Sequence, residues 1–249
     1  MKEQINNAIE WLKLQNVDGC ITGSCLLDYF EGQDVDVFVY NESSFTKLLY
    51  SMYFDPRFLL IEKLEEWKFK EWTTKDYKKS LKKMGLVTIK FKYNTCIDVN
   101  VIYKEKSKSI FDVLSAFDLN IICKGFDLKT KKILDLTDNP GKIADYNKWN
   151  LTFESPDIWS ISRLLRQFMR VIKYHERGYN TDKVVLKYKS ILENLMQFEN
   201  IYNSVLVDQK VDNIKTNGKI LIAIMDKWLE NHSITDEEKT LLNNKIKEI

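Results

Sequence analysis

The chemistry suggested by this chain lies in three aspartates and one glycine-serine turn. Ile21-Thr22-Gly23-Ser24 is followed, after nine intervening residues, by Asp34-Val35-Asp36-Val37-Phe38-Val39. Strand side chains alternate between faces, so Asp34 and Asp36 project from one side while Val35, Val37 and Val39 enter the core from the other. The two acids then start about 6 to 7 Å apart, close enough to bind a pair of divalent ions roughly 4 Å apart. Paired carboxylates repel unless a cation neutralises them, and Mg2+ or Mn2+ is the economical choice. A third acid stands in Cys96-Ile97-Asp98-Val99-Asn100-Val101, where Asp98 is the only charge in an otherwise apolar alternation. Ile97, Val99 and Val101 supply the buried face and leave Asp98 and Asn100 on the other, so three carboxylates converge if the two strands are neighbours. Any one of these acids alone would only solvate a strand face; together, with the turn ahead of them, they point to a metal site at Asp34, Asp36 and Asp98.

The Gly23-Ser24 turn has its own role. Placed after a strand and opening a short helix, its backbone N–H groups and the Ser24 hydroxyl can cradle a triphosphate, because a helix N-terminus favours anions. Glycine permits the close approach.

These residues need elements to hold them. The pattern predicts a helix over Lys2 to Leu14, a strand from Val17 to Thr22, a short helix from the turn to about Glu31, a strand from Asp34 to Tyr40 and a helix from Ser43 to about Phe54. A polar, aromatic insertion runs from Asp55 to Lys83. Strands Leu86 to Tyr93 and Thr95 to Tyr103 follow, joined by the tight Tyr93-Asn94-Thr95 turn of an antiparallel hairpin. A helix around Ile110 to Ala116 and the segments Leu119 to Cys123 and Lys132 to Leu136 complete the head. From Pro156 onward nearly everything has helical period, with helices near Asp157 to Tyr174, Asp182 to Tyr202, Asn217 to Asn231 and Thr235 to Ile249. The expected class is α+β: a mixed sheet with flanking helices over residues 1–138, then an all-helical domain over 156–249.

The motifs resemble the DNA polymerase β-like nucleotidyltransferase superfamily, whose pattern is a Gly-Gly or Gly-Ser turn, an Asp-x-Asp strand and a third acid on a later strand. Within it the chain is most similar to the head and neck of the class II tRNA CCA-adding and bacterial poly(A) polymerase family. Gly23-Ser24-Cys25-Leu26-Leu27-Asp28 stands where that family has Gly-Gly-x-x-Arg-Asp, so Asp28 matches and Leu27 replaces the arginine. Gly85-Leu86-Val87-Thr88-Ile89 resembles its Gly-Thr-Val strand, and Phe117-Asp118-Leu119-Asn120-Ile121-Ile122 is similar to its Arg-Asp-Phe-Thr-Ile-Asn segment, with Phe117 in place of the arginine. Ile133-Leu134-Asp135 also has a counterpart. Arg163-Leu164-Leu165-Arg166-Gln167-Phe168-Met169-Arg170 resembles the neck helix, but Trp159-Ser160 stands where the family has Glu-Asp. The resemblance covers roughly residues 15 to 180 and implies NMP transfer from an NTP to a hydroxyl, with Arg163 and Arg166 as nucleotide contacts. The family's acid and arginine side chains choose the base, so the neck substitution argues against an ordered C-C-A product.

Overall, 38 bases against 36 acids leave a net charge of +2, so a polyanionic partner must be argued from where charge sits. From Ile61 to Ile110 there are 13 lysines and seven acids. Trp67, Phe69, Trp72 and Tyr77 interleave there with Lys68, Lys70, Lys75, Lys78 and Lys79. Aromatic faces stack on bases while ammonium groups neutralise phosphates, which makes Lys68, Lys70, Lys78 and Lys79 the expected nucleic-acid contacts. An amphipathic helix packed on the head by its aromatics is the other reading of that stretch. Arg163, Arg166, Arg170 and Lys173 form a second basic stripe, spaced three, four and three apart, opposite Ile161, Leu164, Leu165, Phe168 and Ile172.

At 44% hydrophobic and 30% charged the composition is that of a globular chain with a sizeable core. No apolar run approaches the roughly 18 residues of a membrane span, and Met1 to Glu10 lacks a signal-peptide core, so a cytoplasmic protein is expected. Cys20, Cys25, Cys96 and Cys123 form no Cys-x-x-Cys pair and read as buried thiols. With His175 and His232 as the only histidines, zinc is not expected. Nor is a Cys/His nucleophile, since nothing in the sequence near His175 would orient it. The reading is a metal-dependent nucleotidyltransferase with an NTP substrate and an RNA 3′ end as acceptor. Its alternatives are nucleotidylation of a protein or small molecule and a catalytically silent nucleic-acid-binding module.

Overall fold

The computed structural model describes residues 1–28, 32–61, 86–137, 142–151, 161–202 and 210–248. They fall into two units, Met1–Asp138 and Asn139–Ile249. The insertion carrying Lys68, Lys70, Lys78 and Lys79 lies outside the described residues.

The first unit is α+β. Its strands are β1 (Gly19–Thr22), β2 (Val35–Val39), β3 (Phe58–Leu60), β4 (Leu86–Tyr93), β5 (Ile97–Lys104), β6 (Lys124–Asp127) and β7 (Ile133–Asp135), in the spatial order β3-β4-β5-β2-β1-β6-β7. β2 and β5 pair in parallel; the other neighbours are antiparallel. The β4–β5 hairpin forms as its sequence predicts, with Asn94 and Thr95 at φ +45° and +63° and the Cys96 N–H donating to the Tyr93 carbonyl at 3.1 Å.

One face of the sheet is the core. Val35, Val37 and Val39 of β2 and Ile97, Val99 and Val101 of β5 are all at most 1% exposed. Over them lie Ile5, Ala8, Ile9 and Leu12 of α1 (Lys2–Lys13) and Phe45, Leu48, Leu49 and Met52 of α2 (Glu42–Tyr53). Both helices therefore follow the amphipathic pattern that predicted them. α2 starts where Asn41 accepts a hydrogen bond from the Ser44 N–H at 2.8 Å, a cap worth about 1 kcal/mol. The Trp11 indole donates to Asp55 at 3.0 Å and its ring meets Phe58 at 4.5 Å, which ties α1 to β3.

The opposite face carries the even-numbered residues of β2. Phe38 packs there with Cys20, Tyr40, Val113 of α3 (Ile110–Ser115) and Phe117. That apolar cluster covers the end of β2 marked by Phe38; Asp34 and Asp36, half-buried, lie at the other end.

In the second unit residues 142–151 are irregular, with an isolated bridge between Ile143 and Asn180, and the described residues from Ile161 onward are mainly helical. Its helices are α4 (Ile161–Glu176), α5 (Asp182–Tyr202), α6 (Lys210–Asn231) and α7 (Asp236–Glu248). α4 buries Ile161, Leu164, Leu165, Phe168 and Ile172, and exposes Arg166, Arg170 and Lys173. Gly178, at φ +82°, ends it in a Schellman motif: its N–H donates to the His175 carbonyl at 2.7 Å and that of Tyr179 to the Tyr174 carbonyl at 3.1 Å.

Four expectations need correction, the first being that the insertion expected from Asp55 opens with a strand, β3, paired to β4. The short helix after the turn is a single three-residue 3-10 turn, Ser24–Leu26. α6 begins at Lys210 rather than Asn217, because a run containing Asp212, Asn213, Thr216 and Asn217 has helix propensity too weak to read ahead of its apolar half. Cys20, Cys25 and Cys123 are buried as expected, but Cys96, beside the hairpin turn, is exposed.

Candidate active site

The site is built on the parallel pair β2–β5 and on the loop leaving β1. Parallel register sets Asp36 beside Asn100 and Val35 beside Val99. Asp34, Asp36, Asp98 and Asn100 thus share one face, since residues two apart on a strand point the same way. Asn100 is only 9% exposed, and its amide Nδ2 donates to Asp34 Oδ2 at 3.1 Å and to Asp36 Oδ1 at 2.8 Å. One NH2 group therefore spans the two carboxylates and offsets part of their repulsion.

Asp98 takes a different partner. On the antiparallel side it stands directly opposite Lys92 of β4, whose ammonium lies 2.9 Å from Asp98 Oδ1. The three acids share a face without gathering at one point: among the described residues no three His, Cys, Asp or Glu side chains form a group that could hold a metal ion. The two aspartates nonetheless supply only oxygen donors. Mg2+ is commonly held by one or two carboxylates, with water and substrate phosphates completing its octahedron. Asp34 and Asp36 fit that chemistry.

Gly23 joins β1 to the site. Its φ of +89° and ψ of −159° fall in a region essentially reserved for glycine, and a Cβ there would stand 3.0 Å from Asp36 Oδ2. Thr22 pairs with Asp36 across the antiparallel β1–β2 ladder, so the turn begins beside the carboxylate. Ser24 is 7% exposed and its carbonyl accepts from Gln33 Nε2 at 2.7 Å; the same amide donates to the Asp28 carbonyl at 3.0 Å. Gln33, itself 5% exposed, fastens the turn to the residue preceding Asp34. A three-residue 3-10 turn has little aligned dipole, so any phosphate held at Gly23 and Ser24 would be held by local N–H and hydroxyl groups rather than by a helix end.

Cys25 lies beside the site and Cys20 at the far end of β2, and neither is held as a thiolate. Burial, and next the charge of nearby Asp36, push Cys25 up to about 12, and burial likewise pushes Cys20 up to about 12. Arg163 and Arg166 lie on α4 in the second unit, Arg163 half-buried and Arg166 exposed.

Sequence reasoning missed two partners of the site and misjudged a histidine. Asn100 shows in the alternation only as a neighbour of Asp98; its role depends on the β2–β5 register. Gln33 has no local signature. His175, expected to lack an orienting partner, stacks on His232 with centroids 5.1 Å apart and planes at 5°, and its Nδ1 lies 3.5 Å from the Thr181 hydroxyl. His232 Nε2 lies 2.7 Å from Asp182 Oδ1. Residues this far apart in sequence meet only through the packing of α4, α5 and α6.

No helix among the described residues is long and apolar enough to cross a membrane. No family model matches the chain and no curated protein matches it. Among solved structures it is similar to the Thermotoga maritima CCA-adding enzyme complexed with tRNA, with a TM-score of 0.46 and 13% sequence identity over 77% of this chain. The match spans 45% of that enzyme's chain.

Proposed function

We propose that this protein is a divalent-metal-dependent nucleotidyltransferase that moves a nucleoside monophosphate from an NTP to a hydroxyl, with an RNA 3′ end as acceptor. The observation that carries the reading is the glycine-only turn at Gly23 pressed against Asp36, with Asp34 and Asp36 on one strand face. A phosphate chain lying along Gly23 and Ser24 would come directly beside the two carboxylates that hold Mg2+ or Mn2+. The ion, when bound, lowers the acceptor's pKa and stabilises the charge on the departing pyrophosphate.

The residues then divide the work. Gly23 and Ser24 hold the triphosphate, and Asp34 and Asp36 fix the centre to which its α-phosphate is brought. The acceptor oxygen bonds to the α-phosphorus as the bond to the α–β bridging oxygen breaks. Pyrophosphate leaves with the electron pair, and the hydroxyl proton passes to Asp98. Lys68, Lys70, Lys78 and Lys79 hold the acceptor's phosphates. Trp159-Ser160 ahead of α4 supplies no carboxylate to orient an arginine against an exocyclic amine, so base choice is loose or rests on other groups.

Incubation with each α-labelled NTP, Mg2+ or Mn2+, and separate RNA, protein and small-molecule fractions of a cell extract tests this. Label should enter the RNA fraction, and sequencing of the 3′ ends should show one kind of nucleotide or a mixture. Label confined to protein or to small molecules would replace the acceptor. Exclusive, terminating C-C-A addition would contradict the reading of the neck.

A further inference from the structure

The register of β5 against β2 puts an amide, not an acid, beside Asp36. Asn100 is nine-tenths buried, and its NH2 group donates to both carboxylates, at 2.8 and 3.1 Å. Only the NH2 end of a carboxamide can face two carboxylates, because its carbonyl oxygen would meet them lone pair to lone pair. Asp98, two residues earlier on β5, is engaged on the far side of that strand by Lys92. The acid that alternation nominates and the side chain that touches the pair are therefore different residues.

We propose that Asn100 is the third member of the Asp34–Asp36 centre: it holds the two carboxylates converged by donating to both, and when a divalent cation enters, its amide turns over to present Oδ1. This rests on the reading of Asp34 and Asp36 as metal-holding residues and adds the residue that prepares them. The turn is a half rotation about the side chain's last torsion, which is soft in asparagine. It exchanges a donor for a carbonyl oxygen, an accepted ligand of hard cations. The two states have complementary logic. Without a cation the pair needs hydrogen-bond donors to offset its repulsion; with one, it needs a further oxygen. A carboxamide can supply either, whereas an aspartate at this position would add a third negative charge. Asp98 is left free of metal duty, held by Lys92 on the same face.

The test is direct Mn2+ binding, read from the free-ion EPR signal, together with the Mg2+-dependent shift in Tm. Both are measured without nucleotide on the full chain and its Asn100→Asp, Asn100→Ala and Asp34→Asn/Asp36→Asn variants. Asn100→Ala should weaken Mn2+ affinity about 10- to 100-fold, the usual effect of removing a residue that orients metal ligands. Asn100→Asp, nearly isosteric, should lower the Tm without metal, bind Mn2+ about 10-fold more tightly, and recover its Tm as Mg2+ is added. A purely structural asparagine would not produce that cation-dependent recovery. Asn100 variants that bind Mn2+ and melt as the wild type does would overturn the proposal. If the wild type bound no Mn2+ that the Asp34→Asn/Asp36→Asn variant loses, the metal reading itself would fall, and this inference with it.

Discussion

Replacing Gly23 with alanine should damage both the fold and the site, by two separable amounts. The first is backbone strain: at φ +89° and ψ −159° an L-residue pays about 1–3 kcal/mol. The second is a collision, since the new methyl carbon would lie 3.0 Å from Asp36 Oδ2. That oxygen is the end of a side chain, so it can yield. Yielding disturbs the 2.8 Å hydrogen bond from Asn100 to the same carboxylate, a charge-assisted interaction worth about 1.5–3 kcal/mol. With partial relaxation the total is about 2–4 kcal/mol, which lowers the Tm of a unit of this size (Met1–Asp138) by roughly 6–15 °C. Chemical denaturation of wild type, Gly23→Ala, Asp36→Ala and the double variant closes a cycle that isolates the collision. Once Asp36 is truncated the glycine substitution should cost only its strain, giving a coupling of about 1–2 kcal/mol. A Gly23→Ala protein as stable as the wild type would refute the turn geometry. A cost unchanged in the Asp36→Ala background would refute the collision.

Changing Asp34 and Asp36 together to Asn should leave the Tm measured in a chelator unchanged or raised, since like-charge repulsion is relieved while acceptors for the Asn100 amide remain; a large loss would make the pair structural. Exchanging Lys68, Lys70, Lys78 and Lys79 for Gln should weaken RNA binding and flatten its dependence on log salt, because every phosphate left unneutralised keeps its condensed counterion; an unaltered slope would assign those lysines to packing. The Arg57 guanidinium, with help from the Trp11 indole, holds Asp55 down to about 2, below the roughly 3.9 of an unfolded aspartate. Its stabilisation is therefore complete above about pH 4 and is lost as pH falls through about 2, so Asp55→Asn should cost about 1 kcal/mol at pH 7, after allowing for solvent screening, and less and less toward pH 2. Parallel acid titrations of Tm for the two proteins, rather than convergent ones, would contradict that assignment.

What can be read from the sequence follows how local each signal is. The strands β2 and β5 announce themselves by strict alternation, and Val35, Val37, Val39, Ile97, Val99 and Val101 are buried as it requires. The hairpin turn and the amphipathic helices α1, α2, α4 and α5 are equally visible, because each is specified by residues that are near neighbours along the chain. β3 and β6 are not. Phe58-Leu59-Leu60 is too short to show a period, and Lys124-Gly125-Phe126-Asp127 contains a glycine and two charges, so its strand conformation is set by pairing with β1 and β7. The acids of the site are legible and the arrangement around them is not. Placing Asn100 rather than Asp98 beside Asp36 depends on a parallel register between segments more than sixty residues apart, and parallel pairs carry no turn to fix that register. The clasp of Gln33 on Ser24 and the stacking of His175 on His232 are likewise products of tertiary packing.

Whether Asp34 and Asp36 support NMP transfer is decided by following a doubly labelled NTP, with one label on the α-phosphate and another on the γ-phosphate, in the presence of Mg2+ and RNA. The wild type should release the γ-label as pyrophosphate and transfer the α-label to the RNA in equal amounts, and the Asp34→Asn/Asp36→Asn protein, folded by its unchanged Tm, should do neither. Undiminished transfer by that variant, or salt-sensitive RNA binding by the wild type with no pyrophosphate released from any NTP, would contradict the assignment.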